Sequence, residues 1–174
     1  IALRLTVDGS SVRVETNRAE FGHRDDVGFE THLELEVPPD TMVTVRNEHG
    51  RVELAGVRSA DVVSSFDGVS VEKLSGALKL DSRHGEVHVS DVGGPLELLS
   101  RHGEVEVADV HGPATIDSQH GAVTVRRSGR LEIRQQHGEV TAESVDGDLV
   151  VRAGHSQVRA RDVRASVDVE TSFA

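Results

Sequence analysis

The chain has 174 residues, a formal net charge of −11, four Phe, and no Trp, Tyr or Cys. Its length suits one domain with a continuous core, and a negative surface without a Lys/Arg-rich run argues against nucleic-acid binding. The absence of cysteine excludes disulfides, thiolate metal sites and cysteine nucleophiles, and the scarcity of aromatic rings leaves few stacking platforms for a ligand.

Apolar stretches are only a few residues long, so no transmembrane helix is expected. The sequence opens at Ile1 in strand-like residues, so any signal peptide or anchor is expected to lie outside it. Alternation in Leu3-Leu5-Val7 and in Val12-Val14 flanks Asp8-Gly9-Ser10-Ser11, the pattern of a β-hairpin. The polar stretch Asn17 to Gly28 reads as a loop. Leu33-Leu35-Val37 reads as a strand ended by Pro38-Pro39-Asp40, and Met42 to Val45 leads into the first repeated unit. Residues 1–46 are therefore expected to be irregular strands that cap the open end of a repeat array.

From residue 47 to 174 the chain repeats itself. His-Gly recurs at residues 49, 84, 102, 120 and 137, with His155-Ser156 in the last unit and Asp67-Gly68 read as the equivalent in one unit. From His84 onward the steps are 18, 18, 17 and 18 residues. The unit Arg83 to Ser100 places Val87, Val89, Val92, Leu96 and Leu98 at its apolar slots, and the next places Val105, Val107, Val110, Ala114 and Ile116. Spacing of two within these groups is the period of a half-buried strand, and the residues are β-formers. In the 17-residue unit the third apolar slot is read as deleted, leaving Val123, Val125, Leu131 and Ile133. One strand pair cannot bury its own apolar face, whereas stacked copies can. Propeller blades need about 40 residues per repeat, so the expected fold is an all-β, single-domain β-solenoid. Seven coils of about 18 residues at about 4.8 Å per coil would make a rod roughly 34 Å long.

The string Leu35-Glu36-Val37-Pro38-Pro39-Asp40, then Val43-Thr44-Val45, then reiterated Gly-Glu-Val units, resembles the bacterial adhesin-like β-strand-repeat family that includes LiaX-like envelope-stress domains. The resemblance covers essentially the whole chain. It implies an extracytoplasmic or envelope-associated scaffold with no assigned active site. The residue before the turn Gly, often Ser in that family, is repeatedly His here, so a histidine role does not follow from the resemblance.

Stacked coils would place His84, His102, His120 and His137 on one edge at about 4.8 Å spacing. Imidazoles that close are candidate ligands for Zn²⁺, Ni²⁺ or Cu²⁺, with Glu86, Glu104 and Glu139 as oxygen ligands or as partners that orient the rings. The other reading is that His-Gly is simply the turn, with Gly supplying φ > 0. In either case adjacent imidazolium ions would repel by about 1–3 kcal/mol at about 5 Å, so the row is expected to be neutral near pH 7 and to loosen in mild acid.

Asp91, Asp109, Asp117, Asp146 and Asp162 read as solvated turn acids, because the Gly-Gly-x-Gly-x-Asp repeat of Ca²⁺ β-rolls is missing. No Gly-x-Ser-x-Gly elbow, phosphate loop or His-Glu-x-x-His motif occurs. The expectation is a non-enzymatic scaffold or adhesin-like interaction module with a protein or envelope partner and no certain cofactor. Self-association end to end or through a face is expected with it, and the alternative is a module that binds transition metal through the histidine row.

Overall fold

The computed structural model describes residues 3–8, 11–16 and 35–172. Among them lie fourteen strands and no helix, and so no helix long and apolar enough to cross a membrane. The strands β1 (Leu3–Asp8) and β2 (Ser11–Thr16) form an antiparallel hairpin, and β2 pairs parallel with β3 (Met42–Asn47) over Ser11–Arg13. The loop read over Asn17 to Gly28 and the residue Leu33 lie outside the described residues. Leu35 to Val37 is not a strand. Pro38 and Pro39 have no N–H to give a ladder, and the chain turns there instead, with Thr41 N donating to Pro38 O at 3.0 Å.

From Met42 onward the molecule is a β-solenoid of about seven coils, and every pairing between coils is parallel. One ladder runs through β3, β5 (Ser59–Ser64), β7 (Leu78–His84), β9 (Leu96–His102) and the first halves of β11 (Ala114–Ser128), β12 (Leu131–Val145) and β13 (Leu149–Val163), and ends at β14 (Val167–Thr171). The second ladder runs through β4 (Val52–Ala55), β6 (Val69–Leu74), β8 (Val87–Val92), β10 (Val105–Val110) and the second halves of β11 to β13. The register pairs equivalent residues. Leu80, Leu98, Ile116, Ile133 and Val151 form one column, and Val71, Val89, Val107, Val125 and Ala142 form another, all buried. Alternate residues point outward, as the strand period requires.

The 17-residue coil keeps its third inward slot. Ser128 occupies it, paired with Val110 and Val145 and buried at 3% exposure. The missing residue falls in the turn between Ser128 and Leu131, where a loop shortens without disturbing a ladder.

Behind the His-Gly turn a third inward column is polar: Asn47, Ser64, Ser82, Ser100, Ser118 and Gln135. Ser82, Ser100 and Ser118 are fully buried, and among the described residues their hydroxyls have no hydrogen-bond partner. Small side chains fit where the strand bends into the turn. The longer Gln135 reaches the turn itself, its Nε2 donating to Gly121 O at 2.8 Å and His137 O at 2.7 Å.

Candidate functional site

The turn from the first ladder to the second is a corner repeated in every coil. Its glycine is needed twice over at Gly103 and Gly121. Their φ values of 139° and 123° are strained for an L side chain, and a Cβ on either would land on the turn carbonyl of the preceding coil. With no side chain in the way, the residue before it stacks on its equivalents above and below.

That residue forms a continuous row of rings. His49, Phe66, His84, His102, His120, His137 and His155 lie in sequence along the corner, with centroids 4.9, 5.4, 4.9, 5.0, 5.0 and 5.2 Å apart. Interplanar angles are 1–8° up to His137 and 20° at the last pair. The centroid spacing lies within the range of ring pairing and is set by the coil repeat. The four predicted histidines are thus brought together, and His49 and His155 extend the row.

Asp67 is not the residue that fills the histidine slot. Phe66 fills it, and Asp67 takes the glycine position with φ 71°. Asp is among the few residues that enter the left-handed region readily, and its carboxylate accepts a hydrogen bond from Gly50 N at 2.7 Å across the coil gap. The 17-residue step from His49 to Phe66, equal to the step from His120 to His137, is the signal that marks this alignment.

Glu86, Glu104 and Glu139 lie two residues beyond their histidines, on the far side of the corner. Glu139 is ion-paired with Arg159, while Glu86 and Glu104 are exposed with no side-chain partner among the described residues. Among those residues, no group of three or more His, Asp or Glu is arranged to hold a metal ion. The ring planes explain this. Two nitrogens share a metal at about 2.0–2.1 Å only when their lone pairs converge, and lone pairs lie in the ring plane. Parallel rings about 5 Å apart aim theirs side by side. The row is therefore a stack of separate donors rather than a chelate.

The remaining charges pair across coils on the outward columns. His88 Nδ1 lies 3.3 Å from Glu106, and Arg152 reaches both Glu132 and Glu170. At the corner opposite the rings, Arg127 donates to both carboxylate oxygens of Asp109 at 2.5 and 2.6 Å. Those hydrogen bonds hold the Asp109 carboxyl below its usual range. Asp148 is lowered likewise by hydrogen bonds from Ser166.

Set beside known proteins, the chain matches no family model, no curated protein and no solved structure. Its function is therefore argued from the edge itself.

Proposed function

We propose that this chain is a non-enzymatic interaction scaffold of the bacterial cell envelope, with the ring row as its presenting edge. The observation that carries the reading is the register of that row: seven rings on one corner, spaced by the coil repeat. One chemical group repeated along a line suits a partner that is itself extended and repetitive, because many weak contacts at fixed spacing add through avidity. Catalysis instead calls for unlike groups converging on one point. The rigid parallel ladders support the role by holding the row straight with little loss of side-chain freedom on binding. The envelope setting rests on the resemblance carried by Leu35 to Val45.

Co-sedimentation with isolated bacterial cell-wall and membrane fractions tests this. The wild type is expected to be retained, and a His84→Asn, His102→Asn, His120→Asn, His137→Asn variant with unchanged strand content is expected to be lost from the pellet. Equal retention of both, or of neither, contradicts the reading.

A second reading takes the same edge as a binder of Zn²⁺, Ni²⁺ or Cu²⁺, favoured by six imidazoles on one exposed line. Each ring would hold metal singly or turn out of the stack, with Glu86, Glu104 or Glu139 as added ligands. Calorimetry with each metal, on the wild type and on the variant with His84, His102, His120 and His137 all changed to Ser, separates it from the first. Equal heats from both proteins dispose of it.

A further inference from the structure

The ring row runs between two flanking columns. The residue before each ring lies on the first-ladder side of the corner, and the residue two beyond it on the second-ladder side. In the coil of His49 these flanks are Glu48 and Arg51, in that of His84 Arg83 and Glu86, and in that of His102 Arg101 and Glu104. Each of these coils therefore carries one acid and one base on opposite sides of its ring. The other four coils carry one flank charge between them, Glu139. No coil has like charges on its two flanks.

These flank charges stand apart from the rest of the surface. Elsewhere arginines pair across coils, as Arg127 does with Asp109 and Arg161 with Glu143. Arg83, Glu86, Arg101 and Glu104 have no side-chain partner among the described residues, and neither arginine reaches the glutamate around its own turn. Three of the four are exposed and Arg101 is half-buried.

We propose that the row's extended, repetitive partner is the ring row of a second copy, the two solenoids lying parallel about a two-fold axis along their length. This rests on the row being the presenting edge, and it names what that edge takes. Rotation about such an axis keeps every coil at its own height and exchanges the two flanks. Each ring then faces its equivalent. Arg83 faces the partner's Glu86, and Arg101 faces the partner's Glu104. The reversed order at Glu48 and Arg51 is satisfied too, because the exchange is indifferent to which flank is acidic. Acid opposite base is favourable, and like charges opposite each other are costly.

An antiparallel pair, with its axis across the rods, keeps each flank on its own side. Every such register that aligns five or more rings sets a flank charge against its like, Arg83 against Arg101 or Glu86 against Glu139 among them. The parallel axis aligns all seven rings without one such clash. Rings 4.9–5.0 Å apart leave no slot for a partner's ring, so the rows meet edge to edge. A neutral imidazole donates at one nitrogen and accepts at the other, so a facing pair can share one N–H···N bond. The contact is self-complementary and closes at two copies.

Sedimentation velocity on the whole chain tests it. A contact one corner wide makes a reversible dimer, so the wild-type mass is expected to climb from 18.7 kDa toward twice that value as concentration rises. Arg83→Glu with Arg101→Glu is expected to hold the chain monomeric with strand content unchanged, and so is Glu86→Arg with Glu104→Arg. All four changes together put acid opposite base again and are expected to restore the dimer, which they would not do for an antiparallel pair. A wild type that stays monomeric, a dimer that ignores both reversals, or a four-change variant that stays monomeric overturns the proposal. A monomer still retained by cell-wall fractions through its histidines overturns this proposal alone. A reversal-sensitive dimer that no fraction retains upholds it and removes the envelope role.

Discussion

The two corners of each coil solve the same backbone problem with different residues. At the ring corner, positive φ falls on Gly50, Gly85, Gly103, Gly121 and Gly138, with Asp67 the one exception. At the end of the second-ladder strands, positive φ falls on Gly56 in the first coil and then on Lys73, Asp91, Asp109, Arg127, Ser144 and Asp162, none of which is glycine. Asp109 is skipped in the pairing of β10 with β8 and with β11, so its side chain leaves the ladder and meets Arg127 in solvent. At Gly103 the neighbouring coil's carbonyl stands where a Cβ would go. Left-handed backbone alone tolerates a side chain at modest strain. Where the neighbouring coil's carbonyl stands at the Cβ position, as at Gly103, it does not.

Three substitutions sharpen that contrast. Gly103→Ala is expected to cost the most, on the order of 2–6 kcal/mol, since it adds left-handed strand strain to overpacking against backbone. A thermal shift as small as that of a surface change would break the argument.

His102→Ser removes two ring contacts at an exposed site and is expected to cost about 1 kcal/mol in chemical denaturation. A loss several times larger would mean that the row holds the coils together. The opposite corner gives the smallest effect. Asp109→Ala is expected to change stability by about 0–1 kcal/mol, because the pair with Arg127 is exposed. Its sign with pH is fixed: a carboxyl whose folded value is lowered contributes above its unfolded value, and the contribution fades as pH falls toward the folded one. A wild-type advantage over this variant that persists in strong acid would contradict that assignment.

The coil length and most of the core were legible because period-two runs of Val, Leu and Ile have one burial solution, shown by Leu96 and Leu98 above Ala114 and Ile116. Elsewhere a residue type conceals its place. Ser128 is polar by name, yet its neighbours Val110 and Val145 put it inside the column. Asp67-Gly68 resembles a His-Gly turn because both pairs favour turns, whereas the true equivalent, Phe66-Asp67, contains neither His nor Gly. Leu35 and Val37 alternate like a strand, but a proline pair follows and among the described residues they join no ladder. The histidine row was legible as a column from spacing alone. The orientation of its rings was not, since ring planes follow from side-chain packing and not from period.

The buried serine column, which spacing alone did not reveal, offers a check on polar burial. Ser100→Ala is expected to leave stability within about 0.5 kcal/mol of wild type or to raise it, because a hydroxyl without a partner gains nothing from burial. A loss near 1.5 kcal/mol would show that the hydroxyl is bonded.

The coil register itself is open to a direct chemical ruler, since the chain has no cysteine of its own. Glu97 and Thr115 are Cα partners on successive coils, and Glu132 is the partner of Thr115 one coil further on. Mild oxidation of a Glu97→Cys, Thr115→Cys protein should close a disulfide, because adjacent parallel strands hold Cα atoms within the about 4.4–6.8 Å that the bond requires. The Glu97→Cys, Glu132→Cys protein should stay reduced. A bond in the second protein, or none in the first, would contradict the stacked coils on which the ring row depends.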